Sequence, residues 1–128
     1  MVHGQHSRIP ALALVADAVA VVVFAALGRL SHDEPGDLVG LLGTAAPFLV
    51  GLAAAWATPW VRARPLDLRS GGLALAGTAV LGLLLRAAFT GRLPASFAIV
   101  ASVSLAVLFL GWRAIALLVS RRRDREMR

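Results

Sequence analysis

The sequence predicts an all-α membrane protein: four transmembrane helices running antiparallel in an up-down-up-down bundle. Three observations point there. First, apolar stretches occupy about residues 9–30, 38–60, 71–89 and 94–120, and the shortest is 19 residues long. At about 1.5 Å per residue, such a length covers the roughly 30 Å of a hydrocarbon core. Second, only 16% of the residues are charged, where a soluble domain carries about 25%. The charges crowd between the stretches, as expected when each ionised group at a span centre costs about 2.5–3.5 kcal/mol on the insertion scale. Third, the links 31–37, 61–70 and 90–93 are short, which sets neighbouring helices antiparallel. A chain of 128 residues makes one domain.

The first stretch contains Asp17 near its middle. It exceeds the apolar core of about 7–15 residues found in signal peptides, and no small-x-small site precedes a mature domain. The expectation is therefore an uncleaved span. The second stretch contains Pro47, which is expected to kink the helix. Thr44, one turn earlier, is placed to satisfy the carbonyl that the proline frees. The other prolines, Pro10, Pro35, Pro59, Pro65 and Pro94, fall at or near span ends, where a missing N–H costs little. In lipid, helices gain little from hydrophobicity alone, so small residues must let them pack closely. Stripes at four-residue spacing run through Gly43, Pro47, Gly51 and Ala55 in the second span, and Ala74, Thr78 and Gly82 in the third. Another runs through Ala98, Ser102 and Ala106 in the fourth. An alanine-rich chain also generates such stripes by chance. Residues 121–128 form a basic tail. It acts as a stop-transfer signal and attracts anionic lipid at about 1 kcal/mol per arginine.

Orientation follows from the arginines. Arg8, Arg62, Arg64, Arg69 and the five arginines of the tail fall on one side, against Arg29 and Arg92 on the other. The arginine-rich side is expected to be cytoplasmic, and with it both termini. All thirteen basic residues are arginine. Together with the abundant alanine, this usage is associated with GC-rich prokaryotic genomes, and the bilayer expected is the inner cell membrane. Trp56, Trp60 and Trp112 fall near cytoplasmic span ends, where an indole keeps its N–H at the wet interface.

The net charge of +6 does not indicate nucleic acid, because the arginines flank apolar spans and form no stripe interleaved with aromatics. The absence of cysteine removes disulfides and thiolate chemistry. Three scattered histidines, His3, His6 and His32, make no metal set and supply no deep haem ligand. Ser96, Ser102 and Ser104 have no histidine base at equal depth. Gly71 and Gly72 open a helix and make no phosphate loop. No cofactor, no metal and no catalytic set is therefore expected.

The polar residues inside the spans carry most of the information, since a charge there is a functional candidate by default. Asp17 and Arg113 lie at similar depth from the cytoplasmic side. Three readings stand. They form a buried ion pair that fixes helix register. They form a proton or cation site at which Asp17 trades partners. Or Arg113 reaches out to the interface and Asp17 is neutral. A second cluster, Arg29, His32 and Arg86, lies near the outer face with Asp33, Glu34 and Asp37 in the adjoining loop. It reads either as a rim network closing the bundle or as a cationic pocket for an anion or lipid head group.

These residues carry a resemblance. Asp17 followed by AVAVVVFAALGRLSHD, the run TAAPFLVGLAAAW at 44–56, the set Gly72, Thr78, Gly82 and Arg86, and the closing Gly111-Trp112-Arg113 resemble the DUF3054 family of small prokaryotic membrane proteins. The likeness covers nearly the whole chain. Ala46 stands where the family often has the tryptophan of TAWPF, and Ala76 lies where tryptophan is also frequent. The resemblance implies four membrane helices. It implies that Asp17, Arg29, His32, Thr44, Pro47, Arg86, Trp112 and Arg113 belong to a shared pattern. It implies no activity, because the family is one of unknown function.

Three functional classes remain. The first is a structural or accessory subunit, either a homo-oligomer or part of a larger membrane complex, with the lipid bilayer as its constant partner. The second is a small oligomeric transporter or channel for a proton, ion or small anion, with Asp17, Arg113 and Arg86 along its path. An enzyme ranks last. One continuous polar cavity through Asp17 and Arg86 favours transport, whereas separate sealed pairs favour a scaffold.

Overall fold

The computed structural model describes the backbone of residues 2–31 and 37–126 and the side chains of 8–30 and 37–126. In chain order the elements are α1 (Val2–Ser31), α2 (Leu38–Trp56), α3 (Pro59–Ala63), α4 (Leu68–Thr90) and α5 (Ala95–Glu126). No strand occurs among the described residues. Four segments are long and apolar enough to cross a membrane: Arg8–Leu30, Leu38–Trp56, Leu68–Thr90 and Ala95–Glu126.

The boundaries follow local chemistry. The Asp37 carboxylate caps α2 by accepting from the Gly40 N–H at 3.3 Å, which satisfies one orphan donor of the first turn. α2 stops at Trp56 and does not run on to residue 60. Thr58 precedes Pro59, which disfavours helical backbone there; its φ of −77° and ψ of 142° are extended. The Thr58 hydroxyl donates to the Ala55 carbonyl at 2.6 Å, closing the helix end. Pro59 then opens α3 at its first position, where its fixed φ suits a helix start. The link expected at 61–70 thus contains most of a short helix, whose Val61 is fully buried. α4 ends on Gly91, left-handed at φ 72°, whose N–H donates to the Ala87 carbonyl at 2.8 Å. Only glycine takes that conformation without strain. α1 begins before the expected span and carries Pro10 inside it. α5 continues as helix through most of the basic tail, to Glu126.

The closest packing joins α2 to α4. A Cβ built on Gly51 would lie 2.8 Å from the Gly77 carbonyl oxygen and 3.0 Å from Thr78 Cα. One on Gly77 would lie 2.8 Å from the Ala55 Cβ, and one on Gly82 would lie 3.0 Å from Phe48 Cα. Backbones approach this closely only where side chains are missing. Pro47, Gly51, Ala55, Ala74, Thr78 and Gly82 are all buried, and Gly51, Ala55, Thr78 and Gly82 meet across this seam. Gly43 does not: it is exposed, with no atom within 4 Å of a Cβ there. The stripe expected on the fourth span is also displaced. The buried row of α5 is Ala101, Leu105, Phe109 and Arg113, while Ala98, Ser102 and Ala106 are only half-buried. The row that carries the arginine turns inward, and large apolar residues fill it. α2 passes through Pro47 as one helix. The Thr44 hydroxyl donates to the Gly40 carbonyl at 3.1 Å, the ordinary bond one turn back, and not to the carbonyl the proline frees.

Thr78 is fully buried at the seam, and its hydroxyl has no hydrogen-bond partner among the described residues. Two substitutions read this seam in reversible unfolding in mixed micelles. Gly51→Ala is expected to cost about 1–3 kcal/mol, because its methyl meets immovable backbone. Thr78→Val keeps the shape and removes the unpaired hydroxyl. Its stability is expected to lie within about 1 kcal/mol of the parent or above it, and a larger loss would reveal a bonded hydroxyl.

Candidate functional site

α1 turns Asp17 to its buried face, in the row Ala13, Asp17, Val21, Phe24. α5 delivers Arg113 at the end of its own buried row. The structure brings the two together with both side chains 0% exposed. Arg113 Nη1 donates to Asp17 Oδ1 and Nη2 to Oδ2, each at 2.8 Å, the bidentate fork that suits a guanidinium and a carboxylate. Trp56 Nε1 donates to Oδ2 at 3.0 Å, and Trp112 Nε1 donates to Oδ1 at 2.9 Å. A carboxylate has about four lone-pair sites, and these four N–H donors occupy them. On the other side, Arg113 Nε donates to the Pro65 carbonyl at 2.8 Å, and Nη1 also reaches the Phe109 carbonyl at 3.3 Å. The guanidinium carbon lies 4.5 Å from the Trp112 ring centroid. Gly71 leaves the space: a Cβ there would sit 2.8 Å from Arg113 Cδ.

This geometry excludes one of the three readings of the pair and corrects one expectation about the tryptophans. Arg113 does not reach out to an interface; it is sealed, because the carboxylate, a backbone carbonyl and an indole face together replace water. Trp56 and Trp112 do not keep their N–H groups in water, since both donate to Asp17; Trp60, by contrast, is 68% exposed. Spacing alone does not distinguish an indole that caps a buried acid from one that sits in an aromatic belt. The Pro65 carbonyl, a backbone acceptor, has no mark in the sequence at all.

At the other end of α1, Arg29 Nη1 donates to Thr44 Oγ1 at 3.1 Å, and Nη2 lies 3.6 Å from Asp37 Oδ1. Gly40 makes room, since any Cβ there would overlap the Arg29 guanidinium. The Arg86 guanidinium carbon stacks 4.3 Å from the Phe97 ring centroid. Arg29, Arg86 and Arg92 line a single cavity of about 540 Å³, together with Thr44, Thr90 and Ser96. His32, Asp33 and Glu34 lie outside the described residues, as do the side chains of His3 and His6. Asp17 and Arg113 do not line the cavity. Along α1, Asp17 and Arg29 are separated by about 18 Å at the helical rise. The two clusters are therefore separate. Among the described residues no three His, Cys, Asp or Glu side chains gather to hold a metal.

The ion pair has a direct test. Asp17→Asn leaves a guanidinium buried without its counter-charge and is expected to cost about 3–5 kcal/mol. Adding Arg113→Gln is expected to recover part of that loss, giving a non-additive double-mutant cycle in detergent unfolding. A double variant that only sums the two single losses would dissolve the pairing.

The family model described as "Protein of unknown function (DUF3054)" aligns with residues 14–116, a stretch that contains both clusters. No curated protein and no solved structure matches the chain.

Proposed function

The chain belongs to the DUF3054 family, and from that premise we propose that it is a structural or accessory membrane subunit of the prokaryotic inner membrane. In this reading the four long helices cross the bilayer antiparallel, up-down-up-down, with both termini in the cytoplasm. They pack as a homo-oligomer or against a larger membrane complex. The Asp17–Arg113 pair fixes helix register and depth, and no catalytic step is assigned to the chain.

One observation carries the proposal. Every acceptor site of the buried carboxylate is filled, and the pair is sealed away from the outer cavity. A proton or cation in transit needs a vacant site and a connected path, whereas a register lock needs neither. The outward faces support the bilayer setting, since Leu12, Val19 and Leu27 of α1 and Ile99, Val103 and Val107 of α5 are all exposed and apolar. The arginine asymmetry supports the orientation.

Two measurements test this reading. The chain has no cysteine, so single introduced cysteines report topology without background. Arg92→Cys is expected to label from outside intact cells, and Asp124→Cys only after permeabilisation. Mild-detergent extraction from the native membrane is expected to yield a particle larger than one chain. A monomer that conducts protons or ions in proteoliposomes, with conduction lost in Asp17→Asn, would overturn the accessory role in favour of a channel or transporter.

A further inference from the structure

We infer that the outer cavity is a binding site for a phosphate-bearing anionic amphiphile, its head group held by Arg86 and Arg92 and its apolar part lying against Phe24, Val100 and Ala101. The inference uses the bilayer setting but does not depend on the accessory role. It concerns a different surface from the basic tail at the far end of α5.

The size is right: about 540 Å³ falls within the roughly 300–1,000 Å³ of ligand pockets. The charge is one-sided. Among the described residues that line the cavity, the ionised ones are three arginines, with no acid. Arg29 is engaged by Thr44 and Asp37. Arg86 and Arg92 have no carboxylate within ion-pair range among the described residues. Near hydrocarbon an uncompensated cation is costly, so a counter-anion is the natural occupant. Arg86 also has the right geometry. Its guanidinium carbon sits 4.3 Å over the Phe97 ring, and a guanidinium carries the N–H fork that pairs bidentately with phosphate oxygens.

The amino end of α5 opens on the same wall, through Pro94 and Ser96. The Pro94 carbonyl accepts from the Ala98 N–H at 3.1 Å, so the first turn begins there and its positive dipole end lies beside the cavity wall. Below this polar rim the wall is apolar, with Phe24, Ala25, Phe97, Val100 and Ala101. A free phosphate would leave that floor uncovered, whereas an acyl or glyceride segment fills it. The chemistry of the wall is thus phosphate above and hydrocarbon below.

The test is native mass spectrometry, with thermal shift, on the full chain purified in a neutral detergent. The probes are phosphatidylglycerol, phosphatidylcholine, glycerol phosphate and inorganic phosphate. Phosphatidylglycerol is expected to remain bound and to raise the melting temperature, and phosphatidylcholine is not. Arg86→Gln and Arg92→Gln are each expected to weaken binding about tenfold or more, the loss of a charge-assisted contact. Arg122→Gln, on the basic tail, is expected to leave it unchanged. Arg92 is exposed, so its variant reports even if Arg86→Gln fails to fold. Stabilisation by inorganic phosphate or glycerol phosphate as strong as by the lipid, and lost with Arg92→Gln, would keep the anion site and identify free phosphate as its source. Equal binding of phosphatidylcholine, or full binding by both arginine variants, would overturn the site.

Discussion

Two opposite charges taken wholly out of water set the terms for the rest of this molecule. Either Asp17 or Arg113 alone would cost several kcal/mol to bury. Together, with two indole N–H groups and a backbone carbonyl completing the shell, they are satisfied in the arrangement observed. That arrangement draws on four parts of the chain: α1, the end of α2, the segment before α4, and α5. Shifting any of them by a residue would remove a donor or acceptor. A buried ion pair adds little to net stability, and its value lies in specifying one packing among several. Apolar helices in lipid need such a device, because one oily face fits another almost regardless of register.

The α2–α4 seam supplies what the ion pair does not. Gly51, Gly77 and Gly82 bring two backbones close together, which yields dispersion contact but no electrostatic direction. The charge cluster sets position, and the glycines set distance. Gly71 joins the two, since its missing side chain is the room in which Arg113 bends towards Asp17. The end of the molecule near Arg29 is built differently. Its arginines outnumber the described acids around them, and its cavity stays open where the inner cluster is shut.

Much of this was legible in the sequence. Four runs of apolar residues mark the four long helices because length and hydropathy are what hydrocarbon selects. Asp17 and Arg113 stand out because burial makes them costly, and matching their depths brings them together. Arg29 and Arg86 were grouped for the same reason, and they do line one cavity. Other features were hidden for identifiable reasons. The break before α3 was missed, and the second span was carried on to residue 60, because ATPWV stays apolar through Thr58. The inward row of α5 was misread because small residues were sought, while Leu105 and Phe109 fill a position where bulk is needed. Trp56 and Trp112 were assigned to water because an indole N–H donates to a buried carboxylate as readily as to interfacial water. The Pro65 carbonyl could not have been found, because every residue carries that acceptor.

The sequence distance between the paired charges bears on how such a chain is made. Asp17 leaves the ribosome 96 residues ahead of Arg113. At about 5–20 residues per second, the acid waits roughly 5–20 seconds for its guanidinium. During that interval the first helix holds a carboxyl group that hydrocarbon disfavours, and both tryptophan donors also arrive late. In the bilayer setting proposed above, the carboxylate leaves water at lowest cost once the last helix has delivered its partner.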